Sequence, residues 1–428
     1  MTEIINKNWK TTFGFIWAGQ SFSLLGSALV QFALVWWLTK TTGSATILAM
    51  ATLVALLPQV FLGPFAGAIV DRVNRKVIMI VADGGTALVT LALVVIAWNG
   101  LLQPWHVYVA MFLRSLGSAF HWPAMQSSTS LLVPDEHLSR VAGLNQAVQG
   151  AMNIVAPPLG ALLMSVMDLQ WVLSVDIVTA LLAILPLIFV VIPQPKHETE
   201  MDAASPFKTI LLDVKEGFLY VWAWKGLMMV MAMAVVINLL INPAFALMPL
   251  LVSKHFGGGA LEFSWIESVS GIGIVIGGVL LGIWGGFKRK VYTSGLGILG
   301  MGIGVLLIGI APSSLFWMAL VGSWMVGFMG PLTNGPLFAI IQSKVDPNKQ
   351  GRVMTMMSSF ATAMTPIGMI LAGPLADRYG IQLWFVLGAI ICMLMAVGLI
   401  VIREVATLDD QEPGGALVKP IQAASVVE

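Results

Sequence analysis

The chain has 428 residues, 58% of them hydrophobic and only 10% charged, which excludes a soluble globular protein because a water-facing surface needs about a quarter charged residues. A formal net charge of +1 leaves no bulk field to gather nucleic acid or acidic partners. A single cysteine, Cys392, excludes an internal disulfide framework and a cysteine-rich metal site.

The first twelve residues are polar, and the apolar run after them is too long for a signal-peptide core and lacks a small-residue cleavage site. It is expected to be a retained first span. A spanning helix needs about 20 mostly apolar residues. Twelve segments meet that length: roughly 13–39, 46–70, 77–98, 104–128, 141–166, 171–192, 227–252, 262–286, 291–311, 315–342, 352–376 and 382–402. Helices are required, since a lone strand in lipid leaves its backbone unpaired and no ten-residue alternation suggests a barrel. The expected fold is an all-α membrane protein of twelve transmembrane helices. With the N-terminus placed in the cytoplasm, eighteen of the 22 lysines and arginines fall in inside loops and tails, which puts both termini there. Only Lys40, Lys254 and Arg378 fall outside, and Arg114 lies within a span.

Residues 193–226 interrupt the apolar segments with a polar, proline-containing stretch in which Phe207–Trp224 could lie on the cytoplasmic interface as an amphipathic helix. The expected division is an N-terminal six-helix bundle at 1–193, a linker at 194–226, a C-terminal six-helix bundle at 227–402 and a disordered cytoplasmic tail at 403–428. The halves echo each other weakly: Arg140-Val141 introduces span 5 as Arg352-Val353 introduces span 11, and each leads to a proline-glycine break. Gly282–Lys290 (GIWGGFKRK) repeats the position of an earlier loop but lacks its acid.

That earlier loop, Gly63–Lys76 (GPFAGAIVDRVNRK), joins spans 2 and 3. Gly63 and Gly67 share a helix face and permit close approach of a neighbour. Asp71 ends span 2, where the helix dipole disfavours an anion, so it wants a helix N-terminus or an arginine as partner. Such a contact, made in one conformation and broken in another, is a gate latch; Arg72, Arg75 and Lys76 could instead simply anchor topology. Four ionisable residues lie inside spans: Asp83, Arg114, Asp176 and Glu267. Each costs at least about 2.5–3.5 kcal/mol at mid-bilayer, which makes it a functional candidate. Asp83 and Arg114 could pair, Asp176 could bond Ser174 or Thr179, and a carboxyl in an apolar cavity can exchange a proton. Gln20, Gln31, Gln146, Gln149, Asn153, Asn238, Asn242 and Asn334 face either a substrate cavity or a neighbouring helix.

Signals for catalysis are poor. His106, His121, His137, His197 and His255 form no ligand-spaced pair, and no phosphate-binding loop is present, so no cofactor or metal is expected. The closest echo of the gate loop, Gly373–Gly380, falls at the outer end of span 11 and reads as a helix stop.

The loop GPFAGAIVDRVNRK and the Arg114 segment RSLGSAFHWPA resemble the major facilitator superfamily. The segments IWAGQSFSLLGSALVQFAL, TGSATILAMATLVALLP, IVADGG, LLVPDEHLSRVAG and PIGMILAGPLADRYG are similar to its bacterial macrolide-efflux-type exporters, from about Trp9 to Val405. The resemblance implies two bundles rocking about a central site, a cytoplasmic gate containing Asp71, Arg72 and Arg75, and a role for Arg114 in proton coupling. Of the family's glycine-rich span-5 motif only Pro157, Pro158 and Gly160 remain. The expected activity is export of hydrophobic or amphipathic small molecules, drug-like or macrolide-like, in exchange for protons across a bacterial inner or plasma membrane. The partners would be substrate, protons and lipid, without nucleic acid, the chain working as a monomer. An exporter of one physiological solute, such as a siderophore, lipid or metabolite, remains open, as do a non-transporting sensor and an intramembrane enzyme.

Overall fold

The protein's structure, a computed structural model, describes residues 9–190, 192, 221, 222, 224–345 and 347–410; Gly67, Asp71 and Arg72 are described by their backbone alone. No strand occurs among the described residues. Twelve long helices follow one another: α1 Trp9–Thr42, α2 Ala45–Arg72, α3 Arg75–Trp98, α4 Pro104–Leu132, α5 Asp135–Val166, α6 Leu169–Phe189, α7 Lys225–Ala246, α8 Ala260–Trp284, α9 Lys290–Ile310, α10 Phe316–Lys344, α11 Pro347–Tyr379 and α12 Ile381–Val401. Eleven hold a stretch long and apolar enough to cross a membrane. The exception is α4, whose apolar residues are diluted by Arg114, His121 and several serines.

Connections are tight where glycine allows them. Gly43, with φ +59, turns α1 into α2, and Gly380, with φ +91, is the single residue between α11 and α12. The expected span 227–252 is broken: α7 stops at Ala246 and a short helix, Met248–Lys254, continues after Leu247. Pro249 is the cause, because it lacks an N–H and its ring clashes with the preceding turn. Disorder from residue 403 onward is also corrected for its first part. Arg403–Ala406 and Leu408–Asp410 form helical turns that bury Val405 and Leu408, and Asp409 accepts a 3.2 Å bond from Val291 N at the start of α9. Residues 411–428 and the interfacial helix expected at 207–224, apart from 221, 222 and 224, lie outside the described residues.

Helices α1–α6 pack among themselves, chiefly α1 on α6, α2 and α3 on α4, and α3 on α6. Helices α7–α12 do likewise, and the two sets meet along α2 with α11 and α5 with α8. The bundle therefore has a terminal face, where α1 begins and α12 ends, and a distal face opposite. Between Ala142 and Val155 no residue of α5 is buried, so α5 flanks an opening in the terminal half.

Candidate functional site

Spacing on four helices builds a polar column inside the first set. On α1, Gln20, Ser23 and Ser27 recur at three and seven residues; on α3, Asp83 and Thr90 are seven apart; on α4, Arg114 and His121 are seven apart. Seven residues is nearly two turns, or about 10 Å, so each series occupies one face. Asp176 of α6 completes the column and is fully buried.

The column has two levels. At the upper, Arg114 pairs with Asp176 and also donates to Thr90 Oγ1. Ser27 Oγ donates to Asp176 Oδ1 at 2.9 Å and Thr90 Oγ1 to Oδ2 at 2.8 Å. Gly26 makes this approach possible, because a Cβ there would sit 3.2 Å from Asp176 Cα and 3.1 Å from Thr179 Cβ. At the lower level, Gln20 Nε2 donates to Asp83 Oδ2 at 3.0 Å, Ser23 Oγ lies 3.5 Å from Oδ1, and His121 Nε2 lies 3.4 Å from Oδ1. The expected Asp83–Arg114 pair is thus corrected: Arg114 is level with Thr90, two turns from Asp83, and meets Asp176 instead. Nor do Ser174 or Thr179 hold the Asp176 carboxylate. Ser174 bonds the Gln170 carbonyl, and Thr179 bonds the Asp176 main-chain oxygen at 3.1 Å.

The fourth charge, Glu267, stands apart. It lines a cavity of about 470 Å³ between α1, α5 and α8, with Gln31, Phe32, Asn153, Phe263 and Ser270. Its carboxylate finds no hydrogen-bond partner among the described residues. The distal side of this cavity is closed by Phe32 stacked on Phe263, ring centroids 5.2 Å apart, with Trp36 beyond. Proline sets the α5–α8 contact beside the cavity. Pro158 has no N–H for the Ile154 carbonyl, and Ser268 Oγ of α8 donates to it instead at 2.8 Å. A broader concavity of about 950 Å³ at the distal end of α5 and α6 lies within one helix set, so rocking of the two sets would not change its access.

Of the expected cavity residues, Gln31 and Asn153 meet Glu267. Gln146 and Gln149 share the Asn153 face of α5 and lead from the terminal half toward it. Gln20 is instead buried on Asp83. Asn242 donates to Asn238 at 2.9 Å and to Thr365 of α11 at 2.8 Å, a helix-packing role. Asn334 is exposed and bonds its own helix at Gly330 O.

In the gate loop, Asn74 caps α3, accepting from Lys76 N at 3.0 Å. Arg75 is buried and donates to Ser127 O at 2.8 Å. Lys76 Nζ donates to Ile188 O and Val190 O at 2.8 and 2.9 Å, a cation on the C-terminal end of α6. Both tie the loop to α4 and α6 of its own set. Gly63 is exposed with open space around it, while the side chains of Asp71 and Arg72 lie outside the described residues.

The helix stop expected at Gly373–Gly380 does more than end a helix. Asp377 of α11 accepts from Ala45 N at 2.8 Å, Thr46 N at 2.9 Å, Thr46 Oγ1 at 2.7 Å and Ser44 Oγ at 3.0 Å. It thereby caps the N-terminus of α2 across the two sets at the distal face.

Sequence reasoning missed His121, Ser27 and Thr90. Each lies seven residues from a residue singled out for its charge or polarity, so extending those positions along one helix face would have found them.

Comparison with known proteins agrees with this geometry. The family model of the Major Facilitator Superfamily matches residues 16–250 and 228–426. Macrolide efflux protein A of Streptococcus pyogenes is 35% identical over 402 residues, covering 94% of this chain and 98% of that protein. Multidrug efflux pump Tap of Mycobacterium tuberculosis is 26% identical over 401 residues, covering 90% of each. The crystal structure of nucleoside transporter NupG superposes with a TM-score of 0.66 at 13% identity, covering 89% of this chain and 97% of that one, a likeness of fold.

Proposed function

This chain belongs to the Major Facilitator Superfamily, a multi-pass protein of the bacterial cell membrane, and from that premise we propose that it exports amphipathic small molecules in exchange for protons. Helix α4 is the twelfth span, its polar face turned inward. The lysine and arginine bias makes the terminal face cytoplasmic. Residues 1–193 and 227–402 act as two bundles about the 194–226 linker. Substrate enters from the cytoplasm along the Gln146–Gln149–Asn153 face and reaches Glu267. The aromatic walls take the apolar body of the substrate, and the carboxylate takes its polar or cationic end. The names of the two efflux relatives support export of drug-like compounds.

One observation carries this proposal: a carboxylate without a hydrogen-bond partner among the described residues, in an aromatic-walled cavity at the junction of the two helix sets, beside an α5 that is unburied toward the terminal face. The test is accumulation of erythromycin and of ethidium in an efflux-deficient bacterium expressing the chain. Expression should lower accumulation of at least one compound, Glu267→Gln should restore it, and a protonophore should abolish the effect. Undiminished efflux after the protonophore would refute proton exchange. Saturation by one compound class, without mutual competition, would favour a single-solute exporter.

A further inference from the structure

We propose that the exchanged proton is held by the Asp83–His121 pair, and that Arg114 and Asp176 form a permanently ionised strut that gives up no charge. The assignment rests on the proton-exchange reading above and divides the labour within its charged residues.

The two levels of the column differ in how well their acids are satisfied. Asp176 has donors on both oxygens, from Arg114, Thr90 and Ser27. Protonating it would displace a donor from one oxygen and leave Arg114 buried without a counter-charge, which is costly in low dielectric. Its side chain is 1% exposed, so water does not reach it. Asp83 has one good hydrogen bond, from Gln20, and two longer approaches, from Ser23 and His121. Beside it, His121 Nε2 and Gln20 Oε1 have no hydrogen-bond partner among the described residues. The Asp83 and His121 side chains are 9% and 12% exposed, more than Asp176.

Charge balance gives the same answer. The column holds two acids and one fixed cation. Helix α1 presents only Gln20, Ser23 and Ser27, and α6 only Asp176, already matched by Arg114. On α3, Arg75 and Lys76 are engaged with carbonyls near the terminal face. On α2, which packs on α4, the ionisable residues are Asp71 and Arg72 at its terminal end. With Asp83 ionised and His121 neutral, the buried column carries one uncompensated negative charge. One proton, on the imidazole or the carboxylate oxygen, removes it and leaves across the 3.4 Å contact either an imidazolium beside a carboxylate or a carboxylic acid beside a neutral imidazole. Release passes that proton to water and breaks no other bond.

The test uses the full chain in proteoliposomes with labelled erythromycin or ethidium as probe. Two readouts are compared: uphill accumulation driven by a pH gradient, and exchange at equal concentrations, which moves no net proton. Asp83→Asn and His121→Gln should each lose uphill accumulation while exchange continues at a rate no longer dependent on pH. Asp176→Asn should lose both readouts. Should Asp83→Asn lose exchange as well, Asp83→Glu decides: recovery of coupling supports the assignment and its absence overturns it. Wild-type coupling that survives in both variants overturns the assignment alone. A wild type that accumulates neither erythromycin nor ethidium under a pH gradient overturns the proton-exchange reading, and the assignment falls with it.

Discussion

Arg114 is a cation placed in oil with its partners already in position. Its guanidinium is buried against Asp176, Thr90 and the Ser27 carbonyl, so deleting it strands an acid with nothing to neutralise it. Breaking such a pair costs about 3–5 kcal/mol, whereas the intact pair adds little net stability once desolvation is counted. Arg114→Ala should therefore unfold the purified protein at a clearly lower temperature, and the double variant Arg114→Leu/Asp176→Leu should recover most of that loss. Thermal unfolding in detergent measures both; a double variant as unstable as the single one would show that the strut holds the fold by more than its charges. The cost of burying charge is what made Asp83, Arg114, Asp176 and Glu267 visible in the sequence. Their pairing was not visible, because periodicity gives the face and depth of a residue but not which neighbouring helix stands opposite. His121 was weighed only as a metal ligand, and its place two turns from Arg114 went unused.

The helices themselves were legible from apolar length, since water or lipid leaves few alternatives for runs of about 20 apolar residues. Departures have local causes: Pro249 splits the seventh span, and the inward polar face of α4 lowers its hydropathy. Contacts between distant helices were harder to read. Asp377 lies more than 300 residues from the helix it caps, and its position at the end of α11 looked like a simple stop. A carboxylate on a helix N-terminus gains from both the free N–H groups and the dipole. Removing a capping side chain costs about 0.5–2 kcal/mol. Asp377→Ala should shift the protein toward a state open at the distal face by that amount, seen as faster labelling of a cysteine placed at Ala49, which is buried at this contact. Unchanged labelling would mean that the cap does not hold the two sets together.

At the scale of the molecule, the Asp377 cap and the Phe32–Phe263 stack join the two helix sets toward the distal face, and the Ser268–Ile154 bond joins them at mid-depth. The cavity at Glu267 sits beneath the aromatic stack, level with the Ser268–Ile154 bond and beside an α5 that is unburied from Ala142 to Val155. This is the arrangement expected of a carrier open at its terminal face, with closure at one face coupled to opening at the other. The most direct measurement replaces Cys392 by serine and places spin labels in two pairs. One pair, Leu144 on α5 and Ile283 on α8, reports the terminal face; the other, Thr41 at the end of α1 and Tyr379 at the end of α11, reports the distal face. On acidification or addition of erythromycin, the distribution of the first distance should gain a shorter population as that of the second gains a longer one. Distances that stay fixed at both faces, or lengthen together, would contradict alternating access in this protein.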